Sequence, residues 1–176
     1  MADRPTLEER ISRLEDIEEI KRVKWRYVHY TDRGWEGSGD DSDAWSEVFA
    51  EDGVWEPGPG GGRWEGRASI SARSKAAHTD EHAKFAIHML MNPHIEIDGD
   101  TATGDWHALV SLVGADGESI WVAGRYHDEF VRVGDSWRIK HLRMNTAYIT
   151  PFEGPGWAAV RSHPRGHHAI DAQGRR

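Results

Sequence analysis

"KFAIHMLMNPHIEIDGDTATGDWHALVSLVGADGESIWVAGRYHDEFVRVGDSWRIKHLRMNTAYIT", residues 84–150, divides into four runs rich in β-branched and aromatic residues. The separators are Gly99-Asp100, Ala115-Asp116-Gly117 and Gly134-Asp135. Alternation of apolar and polar residues within the runs has the period of a strand, and short Gly/Asp separators favour hairpin turns. The expectation is four strands, over 84–98, 101–114, 118–133 and 136–150, joined as an antiparallel meander.

Upstream the period changes. Thr6 followed by Glu9 has capping-box spacing, and Leu7, Ile11, Leu14, Ile17, Ile20, Val23, Tyr27 and Tyr30 recur at three and four residues. This predicts a long first helix that stops near "DRGWEG", because Gly is a poor helix residue and is favoured just past a helix end. Ser42 or Asp43 is placed to cap a short second helix, "AWSEVFA" (44–50). "EDGVWEPGPGGGRWEG" (51–66) holds two brief strand pieces around a Pro/Gly tract, and "RASISARSKAAH" (67–78) reads as a third helix. Helices first and a sheet afterwards imply an α+β fold. Three N-terminal helices closing a strongly curved, mainly antiparallel sheet would enclose a conical cavity. Residues 1–155 are read as one domain and 156–176 as a polar C-terminal tail.

At 176 residues the chain can remove about 70% of its unfolded surface from water. It contains no cysteine, which rules out disulfides, thiolate catalysis and thiolate metal sites. Thirty acids against twenty-two Lys and Arg leave a net charge of −8 with no basic stripe, which disfavours nucleic acid and anionic membrane as partners. A charged start and the absence of a long apolar run fit a soluble, cytoplasmic protein. Nine Trp are available for core, subunit contacts or a pocket for a flat apolar ligand.

The element order, "FAEDGVWEPGPGGGRWEG" and "YHDEFVRVGDSWRIKHLRMNTAYITPF" resemble the SnoaL-like branch of the nuclear transport factor 2-like superfamily over roughly residues 7 to 155. Within that span "IEEIKRVKWRYVHYTD" and "IHMLMNPHIEIDGDTATGDW" resemble bile-acid dehydratase. "YHDEFVRVGDSW" and "YITPF" resemble hexachlorocyclohexane dehydrochlorinase, and scytalone dehydratase is a more distant likeness. The resemblance implies a cone-shaped α+β barrel and a cofactor-free lyase with no metal, commonly a trimer with a dimer as the alternative. It puts Tyr27 and Asp32 at the positions of the dehydratase's tyrosine and aspartate, and His88 at that of the catalytic histidine. Two positions depart from the pattern. Val110 stands where the dehydratase has a further acid, and the usual arginine is out of register, with Arg143 nearby.

As chemistry, an imidazole in the apolar run "FAIHMLM" can accept and return a proton near neutrality, and Asp32 can orient it and balance its charge. This is base–orienter logic without a nucleophile. Tyr27 would donate to a departing or developing oxygen, with Tyr126, Trp106, Val110, Val122 and Gly124 among the cavity walls. Arg143 is a candidate for an anionic or carbonyl group, or else a solvated strand arginine. On a straight helix Tyr27 and Asp32 lie about 140° apart, so both face one cavity only if the helix ends between Tyr30 and Arg33. "SHPRGHH" in the tail and the His78/His82 pair are weaker metal-binding signals, and "GPGGG" lacks the Lys-Ser/Thr of a phosphate loop. The sequence thus points to acid–base elimination of water, halide or formaldehyde from a small apolar cyclic or aromatic substrate. The alternatives are an isomerase or cyclase of the ketosteroid or polyketide type, and a non-catalytic small subunit of a ring-hydroxylating oxygenase.

Overall fold

Thr6 and Glu9 form the expected capping box: Glu9 N donates to Thr6 Oγ1 at 3.2 Å and Thr6 N to Glu9 Oε2 at 2.7 Å. They open α1 (Leu7–Thr31) in a computed structural model that describes residues 4–39, 41–58, 61–77, 83–114 and 116–152. The apolar stripe of α1 is buried only in its second half, at Ile20, Val23, Tyr27 and Val28. Leu7, Ile11 and Leu14 are 68%, 47% and 63% exposed, so these turns run beyond the part of α1 that the sheet covers.

The second helix differs from expectation. Asp41 caps it, its Oδ1 accepting from Asp43 N and Ala44 N, and α2 (Ser42–Ser46) ends early. Phe49 and Ala50, expected as helix, are buried at the start of β1 (Phe49–Glu56), where Phe49 pairs with Ile139. β2 (Trp64–Glu65) and α3 (Arg67–Ala77) follow. Then come β3 (Ala83–Asp98), β4 (Thr101–Gly114), β5 (Ser119–Val133) and β6 (Ser136–Pro151). These four form the expected meander, and Gly99, Gly117 and Gly134 hold the positive φ angles that its turns require.

The sheet order is β2-β1-β6-β5-β4-β3, with β1 parallel to β6 and every other pairing antiparallel. The sheet is curved and unclosed, so the cone is open between β2 and β3. Alternation turns Ala102, Trp106, Ala108 and Val110 of β4 inward, with Tyr126, Asp128 and Phe130 of β5. Of these, Ala102, Trp106, Ala108, Tyr126 and Phe130 join Ile20, Val23 and Tyr27 of α1 and Trp45, Phe49, Trp137, Ile139 and Leu142 in one core. Asp16 fastens α1 across the sheet, taking Arg132 on both carboxylate oxygens at 2.8 Å and Trp137 Nε1 at 2.9 Å. No described helix is long and apolar enough to cross a membrane. The tail expected over 156–176 lies outside the described residues.

An ion pair is sealed into this core. Lys24 Nζ lies 2.7 Å from Asp128 Oδ2, both side chains are 1% exposed or less, and neither has a further hydrogen-bond partner among the described residues. The ammonium instead sits over the Tyr126 ring at 3.6 Å, with the Tyr27 and Trp106 rings at 4.6 and 5.3 Å. Burial drives both groups toward their neutral forms, Lys24 down to about 8 and Asp128 up to about 6, against the pull of each partner's charge.

Removing one partner strands a buried charge, whereas removing both removes two desolvation costs. Lys24→Met should therefore lose about 3–5 kcal/mol in urea unfolding, while Lys24→Met/Asp128→Leu should match or exceed the native stability. The pH dependence follows from the same shifts. A raised Asp128 contributes stability that is lost as pH rises from about 4 to about 6, and a lowered Lys24 contributes stability that is regained only above about 8. Native unfolding free energy should carry a shallow trough between these limits that the double variant lacks.

Candidate active site

The site begins where α1 ends. Thr31 closes the helix and Asp32, extended at φ −66° and ψ 146°, donates its N–H to Val28 O at 2.9 Å. The next residue joins the edge of β3: Arg33 N donates to Ala86 O at 3.2 Å and Ala86 N to Arg33 O at 3.1 Å. Gly34 completes the crossing with φ +80°, and a Cβ there would lie 2.4 Å from Lys84 O, so any side chain would push the two backbones apart. Ala86 O also accepts Trp35 Nε1 at 3.2 Å.

This crossing delivers Asp32 to His88. Asp32 Oδ1 accepts both His88 N–H at 2.9 Å and His88 Nδ1–H at 2.8 Å, with the side chains 8% and 13% exposed. An ionised carboxylate only accepts hydrogen bonds, so the proton of the neutral ring is on Nδ1 and the Nε2 lone pair is free to act as base. Among the described residues nothing hydrogen-bonds Nε2. The pair lines a cavity of about 530 Å³ whose inner wall includes Val28, Leu90 and Trp106, and whose outer wall includes Trp25, His29 and Trp35. Two larger depressions, along α1 and beside the Ala50–Asp52 segment, are lined by no histidine among the described residues.

Of the residues singled out in the sequence, His88, Asp32 and Trp106 meet at this cavity. The end of α1 at Thr31 removes the conflict between residues 27 and 32, but it leaves them in different places. Tyr27 is buried behind the cavity wall, where its hydroxyl accepts from Trp55 Nε1 at 3.2 Å and its ring meets Trp45, Phe49 and Tyr126. Burial pushes the Tyr27 and Tyr126 hydroxyls well above the ordinary phenol range. Val110 pairs with His88 across the ladder and with Val122 beyond it, and Gly124 sits at the bulge between β5 and β6. None of Tyr27, Tyr126, Val110, Val122 and Gly124 is on the cavity wall. Arg143, expected to be able to reach a substrate, is exposed between the buried Leu142 and Met144 and does not line the cavity. No cluster of described residues could hold a metal ion, and His78, His82 and the tail histidines lie outside the described residues.

The sequence reading took residues 24–36 as one wall of a pocket without naming Lys24, Trp25, Val28 and His29 singly, and it did not reach Lys21. Their spacing carried the signal: with Asp32 they form a second stripe at helical period, beside the core stripe of Ile20, Val23 and Tyr27.

Residues 12–143 match the SnoaL-like domain family. Among solved structures, a type 2 hexachlorocyclohexane dehydrochlorinase is 19% identical at a TM-score of 0.74, over 89% of this chain and 99% of that one. A protein of Novosphingobium aromaticivorans provisionally named an aromatic ring hydroxylase is 27% identical at 0.69, over 79% and 94%. Another from the same organism, provisionally named a scytalone dehydratase, is 18% identical at 0.69, over 89% and 97%. No curated protein sequence matches the chain.

The hydrogen bonds to Asp32 fix one tautomer. In ¹⁵N–¹H spectra the neutral His88 ring should show a protonated Nδ1 and a bare Nε2, and Asp32→Asn, whose amide can also donate, should mix the tautomers. A native ring protonated at Nε2 would contradict the assignment.

Proposed function

Because the chain belongs to the SnoaL-like domain family, and because its His88–Asp32 pair faces an apolar cavity, we propose that it is a cofactor-independent lyase acting on a small apolar cyclic or aromatic substrate. The observation that carries this reading is the shared Asp32 Oδ1, which leaves Nε2 of a well-buried imidazole as the cavity's base.

In the forward step Nε2 takes a proton from a substrate carbon, the C–H electrons form a double bond, and the leaving group departs from the adjacent carbon with its bonding pair. Asp32 holds the imidazolium that results and offsets its charge. If hydroxide leaves, the same imidazolium can return the proton to it as water; if halide leaves, the proton passes to solvent. For formaldehyde the proton comes from the hydroxymethyl oxygen, the C–C bond breaks, and the carbon left behind takes the proton back. All three are redox-neutral and need only a group that accepts and returns a proton. Tyr27, already hydrogen-bonded in the core, supports the wall of the cone in this scheme and does not touch the substrate.

The same imidazole could return its proton to a second carbon, which is isomerisation, and the product's mass separates the two chemistries. The non-catalytic reading is weakened by the contact between His88 and Asp32. We also propose a homo-oligomer, a trimer in preference to a dimer. It is supported by a row across the outer sheet face, Met89, Leu109, Ala123 and Tyr148, in which Met89 and Tyr148 are 37% and 52% exposed.

On a panel of benzylic alcohols, aryl-substituted halides and hydroxymethyl arenes read by product mass, the native protein should release a fragment from at least one compound. His88→Ala should lower kcat by about 10²–10⁴-fold, and Asp32→Asn should act in the same direction. Full turnover by either variant would remove the assigned roles. Sedimentation velocity should show a trimer that Met89→Lys dissociates; a native monomer would end the oligomer proposal.

A further inference from the structure

α1 is apolar on two faces. Ile20, Val23 and Tyr27 are buried toward the sheet. Leu7, Ile11, Leu14 and Trp25 lie about 120–180° round the axis from them and are exposed, Trp25 to 58%. Trp25 also stacks on His29, with ring centroids 4.5 Å apart and planes 11° from parallel, so the indole is held with its other face open. A single exposed apolar side chain needs no explanation, but four on one face of one helix do.

The four positions belong to a longer pattern. Residues 7, 11, 14, 18, 21 and 25 are spaced 4-3-4-3-4, the seam of a coiled coil running about 27 Å. Its middle is polar, with Glu18 and Lys21 paired to each other at 2.6 Å. Position 16 is midway between 7 and 25, between 11 and 21 and between 14 and 18, so the seam matches itself when the direction is reversed. A parallel match would instead set Glu18 on Glu18 and Lys21 on Lys21, like charges along the seam.

We infer that the outer face of α1 is an interface between two copies of this chain, packed antiparallel across a two-fold axis at residue 16. Leu7 of one copy covers the open face of Trp25 of the other, Ile11 packs on the aliphatic stem of Lys21 and Leu14 on that of Glu18, each contact occurring twice. Beside the seam Glu8 of one copy faces Arg22 of the other. Glu15 meets its own copy next to the axis, and this repulsion, with a helix face smaller than the ~800 Å² per partner of a standard interface, makes the contact weak. It forms at high protein concentration and is separate from the sheet face proposed above: α1 packs inside the sheet, so its far side and the Met89 row point away from each other. Trp25 borders the His88–Asp32 cavity, so the second copy reaches that cavity's mouth. The inference does not depend on the reaction.

The chain has no cysteine, so introduced ones report the contact without background. With a short bis-maleimide at high protein concentration, Glu15→Cys should crosslink to itself and Glu8→Cys should not. Glu8→Cys mixed with Arg22→Cys should crosslink between the two chains. Ile11→Lys/Leu14→Lys on the Glu15→Cys background should lower the yield about ten-fold or more. Both sites are exposed, so the melting temperature should stay native. In sedimentation equilibrium, Arg22→Glu should weaken pairing about five-fold and Glu8→Arg/Arg22→Glu should restore it, while Glu15→Gln should tighten it. Met89→Lys should leave the Glu15→Cys crosslink in place. A Glu8→Cys self-crosslink, no crosslink from any of these sites, a yield unmoved by the two lysines, or pairing that the charge swap fails to restore would overturn the inference. A crosslink lost with Met89→Lys would do so too, since the pairing would then belong to the sheet contact.

Discussion

A single oxygen, Oδ1 of Asp32, receives two hydrogen bonds from residue 88, one from its backbone and one from its ring. The backbone bond fixes where the carboxylate stands relative to β3, and the ring bond fixes which imidazole nitrogen faces the cavity. Neither would form if the chain left α1 in another direction. The end of the helix at Thr31, the two-way pairing of Arg33 with Ala86 and the close passage of Gly34 over Lys84 all serve this one meeting. The edge of β3 is also partly covered by that crossing, so one feature blunts an exposed strand edge and assembles the His88–Asp32 pair.

Beneath the cavity the fold departs from a simple apolar core. A lysine and an aspartate face each other among aromatic rings, with two tyrosine hydroxyls buried close by. Such a pair is a poor source of stability, because desolvation opposes the Coulomb attraction. Its geometry does order the core: the ammonium fixes the faces of Tyr27, Tyr126 and Trp106 around one point, and Trp106 is at once a wall of the cavity and part of that cage. The floor of the site is therefore rigid for reasons other than hydrophobic packing alone.

A cavity with one oriented imidazole and abundant flat apolar surface is suited to taking protons from weakly acidic positions. In the proposed reaction Asp32 would supply the compensating charge in advance, so that little reorganisation accompanies proton transfer. The SnoaL-like fold supplies the cone, while several residues lining its cavity differ in origin from the core: they come from the second stripe of α1 and the segment folded back upon it.

The order of elements, the hairpins after Asp98, Gly114 and Val133, the capping box at Thr6 and the halt of α1 before Gly34 were legible in the chain, since each is set by residues a few positions apart. His88 and Asp32 were identifiable as residues suited to a base and its orienter through a family resemblance, but their contact spans 56 positions and depends on how α1 meets β3. The same resemblance placed Tyr27 with them and Arg143 nearby, although helical spacing set Tyr27 and Asp32 about 140° apart. Tertiary packing turned Tyr27 into the core toward Trp55 and, by strand alternation between Leu142 and Met144, sent Arg143 to the outside. It likewise buried Lys24 against Asp128 and brought Trp25, His29 and Trp35 to one entrance. Local rules fix which residues form helix or strand; only long-range packing decides which face of each meets which neighbour, and the chemistry resides in those meetings.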